Sequence, residues 1–139
     1  MLLHIVARGR IGRSAEAELV DRYLKRVAWP TKVTELPDTG GKMPDVGAAK
    51  VVMLDETGET PGSVAFAERL GRWRDDGVRE TRFLIGAADG FGDAERGQAD
   101  MLLSFGRLTW PHMLARAMLA EQLWRATAIL SGHPYHREG

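Results

Sequence analysis

Lys50-Val-Val-Met-Leu-Asp55 and Arg82-Phe-Leu-Ile85 are two short apolar runs that decide the fold. The first run is closed by Glu56-Thr-Gly58. Residues 63–74 lie between the two runs and show helical spacing of apolar residues, with Ser63 as the predicted N-cap. Two buried strands joined by a helix favour parallel pairing, because parallel strands need a long crossover connection.

The same alternation extends in both directions along the chain. Residues 2–7 form a predicted strand, and Ser14 caps a predicted helix over residues 15–27. The further predicted elements are a strand at 33–36, a loop at 37–47, a short helix at 93–99, a strand at 101–105 and a long helix from Pro111 to about Leu130. Residues 1–139 therefore form one α/β domain with a mostly parallel sheet flanked by helices.

The bulk composition excludes several classes of protein. The 139 residues suffice for one domain, and 19 basic residues balance 19 acidic ones, so any RNA must be bound by a local patch or an oligomer. The absence of cysteine excludes disulfides and thiolate chemistry. The first apolar run is too short for a signal peptide, and no run approaches the ~18 residues of a membrane span. We therefore expect a cytoplasmic protein with no membrane contact.

Ligands in parallel sheets bind at the carboxyl ends of the strands. This rule singles out the turn after Leu54, the Gly86-Ala-Ala-Asp-Gly90 loop and residues 105–110. The Gly86 loop lacks the G-x-G-x-x-G spacing, so it is either a simple turn or a close approach to a ligand. Gly9-Arg-Ile-Gly12 is a weaker candidate for contact with a phosphate.

The long helix carries a polar stripe and one isolated charge. Glu121, Gln122 and Arg125 share one face, and Glu121 and Arg125 form an i,i+4 pair in the favourable order. Arg116 lies nearly opposite, on the apolar face, where a charge needs a partner. That partner is either a carboxylate of the protein, within the fold or across a dimer, or a phosphate or carboxylate of a ligand.

The C-terminal residues His133-Pro-Tyr-His-Arg137 concentrate groups that stack on bases, bind phosphates and transfer protons. The spacing of His133 and His136 invites a zinc interpretation. Pro134 breaks the helix that would align the two rings, and no carboxylate cluster completes a site. We therefore expect no metal.

Taken together, these segments resemble the RlmH family of ribosomal RNA methyltransferases, in the SPOUT superfamily. The resemblance covers nearly the whole chain. It rests on Val52-Met-Leu-Asp55, Leu84-Ile-Gly86-x-x-x-Gly90, Leu108-Thr-x-Pro-His112, Leu114-x-Arg116, Glu121-Gln-Leu-x-Arg-Ala126 and Pro134-Tyr-His-Arg137. The family implies a homodimer whose C-terminal part, within about residues 80–139, forms a trefoil knot and the cofactor site.

The resemblance also implies an activity: methylation of N3 of a pseudouridine in 23S rRNA of the assembled ribosome, with S-adenosylmethionine as methyl donor. The implied cofactor residues are Leu54, Gly86, Phe105, Gly106, Arg107, Leu108, Thr109 and Trp110. The implied RNA-binding residues are Arg116, His133, Tyr135, His136 and Arg137. Among these, Tyr135, His136 and Arg116 are the candidates for positioning the base or handling its proton, and two subunits would combine to make one site.

Two departures from the family pattern qualify these expectations. Ala87-Ala-Asp89 stand where the family usually has a second glycine and polar residues, which bears on cofactor affinity. The segment from Leu36 to Lys50 is too short for the helix expected there, so either one sheet face would be less covered or its edge strand would be rearranged. The alternatives are a non-catalytic dimeric ribosome- or RNA-binding protein with the same fold, and a small nucleotide-binding α/β protein unrelated to RNA.

Overall fold

The computed structural model describes residues 1–44, 47–86 and 91–137. In chain order, the elements of this described part are β1 (Leu2–Arg8), α1 (Ala15–Leu24), β2 (Thr31–Leu36), β3 (Lys50–Glu59), α2 (Ser63–Asp75), β4 (Glu80–Ile85), α3 (Asp93–Arg96), β5 (Met101–Leu103) and α4 (His112–Ser131). The predicted alternation of strands and helices is confirmed.

The strands form one sheet in the order β2-β1-β4-β3-β5, and every pairing is parallel. The sheet is thus parallel throughout, as predicted. Strand β5 pairs with β3 and not with β4, the strand that precedes it in the chain. The carboxyl ends of β3, β4 and β5 therefore meet at one edge, which the start of α4 approaches.

Helices α1, α2 and α4 all pack on one face of the sheet, with α4 in contact with both of the others. The main core between them contains Leu3, Phe66, Leu70, Phe83 and Leu123, each at most 3% exposed. The Phe66 and Phe83 rings meet edge to face with centroids 6.4 Å apart. Burial of such side chains is the principal force that holds α2 and α4 to the sheet.

The second face of the sheet carries a buried polar cluster. His4 places Nδ1 3.1 Å from Glu80 Oε2 and Nε2 2.7 Å from Thr34 Oγ1. Arg82 donates to Glu80 Oε2 at 2.9 Å and to the carbonyl oxygen of Pro44 at 2.7 Å. The described residues between β2 and β3 contain no helix, in agreement with the short connection, and Arg82 ties part of that connection to the sheet instead.

Several predicted element boundaries were wrong. Strand β2 begins at Thr31, α3 ends at Arg96 and not at residue 99, and β5 ends at Leu103 and not at residue 105. Strand β3 continues to Glu59, because Leu103 of β5 pairs with both Leu54 and Glu59 across a bulge. The N-cap of α2 is Gly62, and the hydroxyl of Ser63 donates instead to Gln122 Oε1 at 3.1 Å. Helix α1 ends at Leu24, although Ser14 caps it as predicted.

Candidate active site

A cavity of about 680 Å³ opens at the carboxyl ends of β3 and β4. Seven of the eight predicted cofactor residues line it: Leu54, Gly86, Phe105, Gly106, Leu108, Thr109 and Trp110. Arg107 is exposed and does not line it. The start of α4 completes the wall with Pro111, His112 and Ala115. Residues 87–90 of the glycine loop lie outside the described residues.

The loop between β5 and α4 is held in shape by its own hydrogen bonds. The Ser104 hydroxyl lies 3.2 Å from the carbonyl oxygen of Glu56 and accepts the N–H of Gly106 at 3.0 Å. The indole N–H of Trp110 donates to the carbonyl oxygen of Phe105 at 3.3 Å. Trp110 and Leu108 remain 41% and 75% exposed, so apolar side chains surround the mouth of the cavity.

Asp55 is the most enclosed charged group in the cavity wall, with a side chain that is 7% exposed. Its carboxylate accepts the backbone N–H of Thr57 at 2.8 Å and bonds Arg96 Nη1 at 3.3 Å. Burial acts to raise the pKa of Asp55, but the hydrogen bonds from Thr57 and Arg96 outweigh it and keep the pKa below its ordinary value. Sequence reasoning did not single out Asp55 or Arg96 as site residues. The position of Asp55 at the end of an apolar run was the available signal.

The C-terminal residues fold back onto α4. Gly132 ends the helix in the left-handed region at φ 76°. The Tyr135 ring then stacks on Trp124 with centroids 3.6 Å apart, and its hydroxyl donates to Glu121 Oε1 at 2.8 Å. Burial, and then the Glu121 carboxylate, raise the pKa of Tyr135 above its ordinary value. Tyr135 is therefore a protonated hydrogen-bond donor at neutral pH.

Arg125 joins this cluster to His136. It donates to Glu121 Oε1 at 2.6 Å, which confirms the predicted i,i+4 pair, and its Nη1 lies 3.0 Å from His136 Nδ1. The hydrogen bond to Glu121 raises the pKa of Arg125 further. The Nε2 atom of His136 is buried and has no hydrogen-bond partner within the described residues. We call Glu121, Trp124, Arg125, Tyr135 and His136 the tail cluster.

The tail cluster and the cavity are separate within one chain. None of His133, Tyr135, His136 and Arg137 lines the cavity. Glu121 follows the last cavity residue of α4, Ala115, by about 9 Å along the helix axis. A second cavity of about 370 Å³, lined partly by Phe105, Gly106 and Gln122, lies between them.

The structure gives Arg116 a partner inside the protein. Its side chain is 1% exposed, with Nη1 2.5 Å from Glu35 Oε2 and Nη2 donating to the carbonyl oxygen of Gly9 at 3.1 Å. Of the alternatives for this residue, the salt bridge within the fold is the one observed. Within this chain the guanidinium is enclosed, and its Nε atom is buried without a hydrogen-bond partner in the described residues. Its predicted role toward RNA stays a prediction.

A family model described as "Predicted SPOUT methyltransferase" matches residues 1–136. The chain belongs to the SPOUT methyltransferase family. Membership of a methyltransferase family implies a methyl donor.

Similar members of the SPOUT family carry one name, "Ribosomal RNA large subunit methyltransferase H". The protein of Rhizorhabdus wittichii is 73% identical over 141 residues, and that of Novosphingobium aromaticivorans is 67% identical; both alignments cover all of each chain. The protein of Paramagnetospirillum magneticum is 49% identical and covers 99% of both chains. The solved structure of a probable methylase family protein from Haemophilus influenzae is 11% identical, covers 96% of this chain and 67% of that chain, and has a TM-score of 0.56, so it supports the fold alone.

In residues 1–44, 47–86 and 91–137, no helix is both long and apolar enough to cross a membrane. The same residues contain no group of three or more His, Asp or Glu side chains that could hold a metal ion.

Proposed function

We propose that this SPOUT methyltransferase uses S-adenosylmethionine to methylate N3 of a pseudouridine in 23S rRNA of the assembled ribosome, in the cytoplasm. The observation that carries the proposal is the cavity at the strand ends, which gathers seven of the eight residues that family resemblance assigns to the cofactor. The names of the relatives support the choice of rRNA as substrate. A non-catalytic protein is not favoured at 73% identity to a protein named as a methyltransferase.

The cavity suits S-adenosylmethionine in size and chemistry. Its volume, about 680 Å³, lies in the range of small-molecule sites. Leu54, Phe105 and Trp110 offer apolar surface to an adenine ring. The peptide N–H groups of Leu108 and Thr109 have no hydrogen-bond partner within the described residues, so they are available to a ligand. When bound, the cofactor supplies an activated methyl group.

The protein's contribution to methyl transfer is chiefly positioning of the donor and the nucleophile. The base must also lose its N3 proton. The Arg125 guanidinium can only donate, so Nδ1 of His136 accepts from it, and a neutral ring carries its hydrogen on Nε2, which is unpartnered in the described part of the chain. His136 is therefore the candidate for positioning the base, through its Nε2–H. Tyr135 serves as a hydrogen-bond donor, and the exposed His133 and Arg137 contact RNA. Arg116 holds the surrounding structure.

The separation of the tail cluster from the cavity favours a site shared between two subunits. We propose a homodimer in which the tail of one subunit completes the cavity of the other. We also propose that the C-terminal part is threaded as a trefoil knot. The placement of β5 beside β3, with Ser104 N–H donating to the carbonyl oxygen of Glu59 at 2.8 Å, is compatible with such a path.

Two measurements test the proposed function. Titration calorimetry should show binding of S-adenosylmethionine, and mass spectrometry should find one added methyl group on 23S rRNA after incubation with unmodified ribosomes. A chain that ends at His133 should keep cofactor binding and lose methylation. Absence of cofactor binding at millimolar concentration would exclude the enzyme, and full activity of the shortened chain would exclude a role for the tail.

A further inference from the structure

We propose that Arg10 and Arg13, on the turn between β1 and α1, bind backbone phosphates of the RNA at the rim of the cavity. We call residues 9–14 the arginine turn. The proposal rests on the proposed function for the identity of the polyanion. It adds an RNA-binding surface far in sequence from the C-terminal tail.

The arginine turn is fixed in place before any ligand arrives. The N–H of Ile11 donates to Glu35 Oε2 at 2.8 Å, and the carbonyl oxygen of Gly9 accepts the hydrogen bond of Arg116 at 3.1 Å. The Ser14 hydroxyl donates to the carbonyl oxygen of Ile11 at 3.2 Å. A turn held at Gly9, Ile11 and Ser14 by hydrogen bonds loses little backbone conformational entropy on binding.

The arginine turn lies directly against the wall of the cavity. Gly9 adopts a φ of 89°, and a Cβ atom added there would be 3.2 Å from Met113 Cε, 3.3 Å from Asp38 Oδ1 and 3.8 Å from His112 Nε2. His112 lines the cavity. A nucleotide that enters the cavity on the side of His112 would bring its neighbouring phosphates past this turn, as in enzymes that extrude a base from its strand.

The two arginines can bind an anion. Both are exposed, and neither forms a close ion pair or a side-chain hydrogen bond within the described residues, while Arg10 lies near enough to Glu35 to help lower the pKa of that carboxyl. The nearest strand carboxylate, Glu35, is already paired with Arg116. Glu16 and Glu18 of α1 also lie close in sequence, but they occupy the first helical turn, where carboxylates compensate the helix dipole. A chain with no net charge thus displays two unpaired guanidinium groups beside its ligand cavity.

The test compares the double variant Arg10→Ala/Arg13→Ala with Arg79→Ala as matched control. Arg79 is also exposed but precedes β4, at the opposite end of the parallel sheet. Affinity for unmodified ribosomes is measured at several salt concentrations, and methylation kinetics are measured with ribosomes and S-adenosylmethionine varied separately. The double variant should bind ribosomes about tenfold more weakly and lower the salt slope by roughly 1 to 2, since each lost phosphate contact removes ~0.7 to 0.9. The KM for the cofactor should stay unchanged.

Arg10→Lys/Arg13→Lys adds a second check, because it keeps the charges and should retain most of the ribosome affinity and the salt slope. Ribosome affinity equal to that of the Arg79 variant would overturn the proposal. A loss of cofactor binding together with ribosome affinity would also overturn it, because the turn would then be structural. Weakened ribosome binding in a chain that never methylates would support the arginine turn and reject the proposed activity, so the two failures are distinguishable.

Discussion

Gly58 of β3 lies directly against the backbone of β5. A Cβ atom at this position would lie 2.6 Å from both the carbonyl carbon and the oxygen of Leu102. These are backbone atoms of the edge strand, so they cannot yield without disturbing the pairing of β5. We predict that Gly58→Ala lowers the free energy of unfolding by about 3 kcal/mol or more, at the upper end of overpacking costs, as measured by urea denaturation.

The matched control at this scale is Gly97→Ala. Gly97 has right-handed helical dihedrals, and an added Cβ would make only ordinary contacts, 3.5 Å from the carbonyl oxygen of Asp93. Its substitution should change the free energy of unfolding by less than about 1 kcal/mol. Equal effects of the two substitutions would show that β5 can move away from β3 without loss, contrary to the prediction.

At the scale of elements, α4 and the residues after it act as one unit through the tail cluster. Tyr135 is partly buried against Trp124 and Glu121, and its pKa is raised first by this burial and then by the Glu121 carboxylate. The chain has two tyrosines, so Tyr23→Phe leaves Tyr135 as the only phenol to titrate. We predict that its ultraviolet titration is displaced above pH 10, the ordinary midpoint for tyrosine.

Glu121→Gln in the same Tyr23→Phe background provides the control. Removing the carboxylate charge should bring the midpoint back toward the ordinary value, while the stack on Trp124 remains. A midpoint unaffected by Glu121→Gln would mean that the tail does not dock on α4 in solution. The tail would then be free to reach its own cavity.

The sequence predicted the elements well and their contacts poorly, for a physical reason. Apolar runs and cap residues such as Ser14 act over a few neighbours, so strands and helices can be predicted from them. The extension of β3 past Asp55 depends on pairing with Leu103, and Ser63 turns toward Gln122, 59 residues away. Such long-range contacts have no local signature.

In the candidate site, too, the local features were predicted and the long-range contacts were not. The rule that ligands bind at strand ends indicated the region of Leu54 and Gly86, and the resemblance supplied residues 105–110. Neither the strand-end rule nor the resemblance could predict that Tyr135 stacks on Trp124 or that Arg116 forms an ion pair with Glu35. The partner of a buried charge is chosen by the tertiary fold, so helical periodicity could only require that one exist.

At the scale of the whole molecule, stability should depend on pH through the ion pairs of Glu80, with His4 and Arg82, and of Glu35, with Arg116 of α4. Burial acts to raise the pKa of Glu80, but the hydrogen bonds from His4 and Arg82 outweigh burial and keep this pKa below its ordinary value. The pKa of Glu35 is lowered in the same way, against the effect of burial, by its hydrogen bond to Arg116. Depressed carboxyl pKa values stabilise the fold above the unfolded-state pKa of about 4.3 and lose that effect as the pH falls. We predict that the free energy of unfolding declines steadily from about pH 5 to pH 3.

Variants of two glutamates separate this effect from general acid denaturation. Glu80→Gln should be less stable at neutral pH and show a shallower decline below pH 5, because its charged form no longer contributes. Glu68→Gln, at an exposed position without an ion pair in the described part of the chain, should follow the wild type. A decline of the same steepness in all three proteins would contradict the assignment to Glu80.

Because the tail cluster and the cavity are separate within one chain, the proposed dimer should form each site from two subunits. Two variants test how the site is assembled. In the first, Thr109→Trp, the larger side chain fills the cavity from an exposed position while the tail stays intact. The second variant ends at His133, so it has the cavity but lacks the tail. If each site combines the cavity of one subunit with the tail of the other, both proteins are inactive alone. Co-expression should then restore about a quarter of wild-type activity, since half of randomly formed dimers are mixed and each has one intact site.

Native mass spectrometry of the co-expressed protein shows whether mixed dimers have formed. If they have, but no methyl transfer to ribosomes occurs, each site must be built from a single chain. The docked tail would then have to leave Trp124 and Glu121 to reach its own cavity.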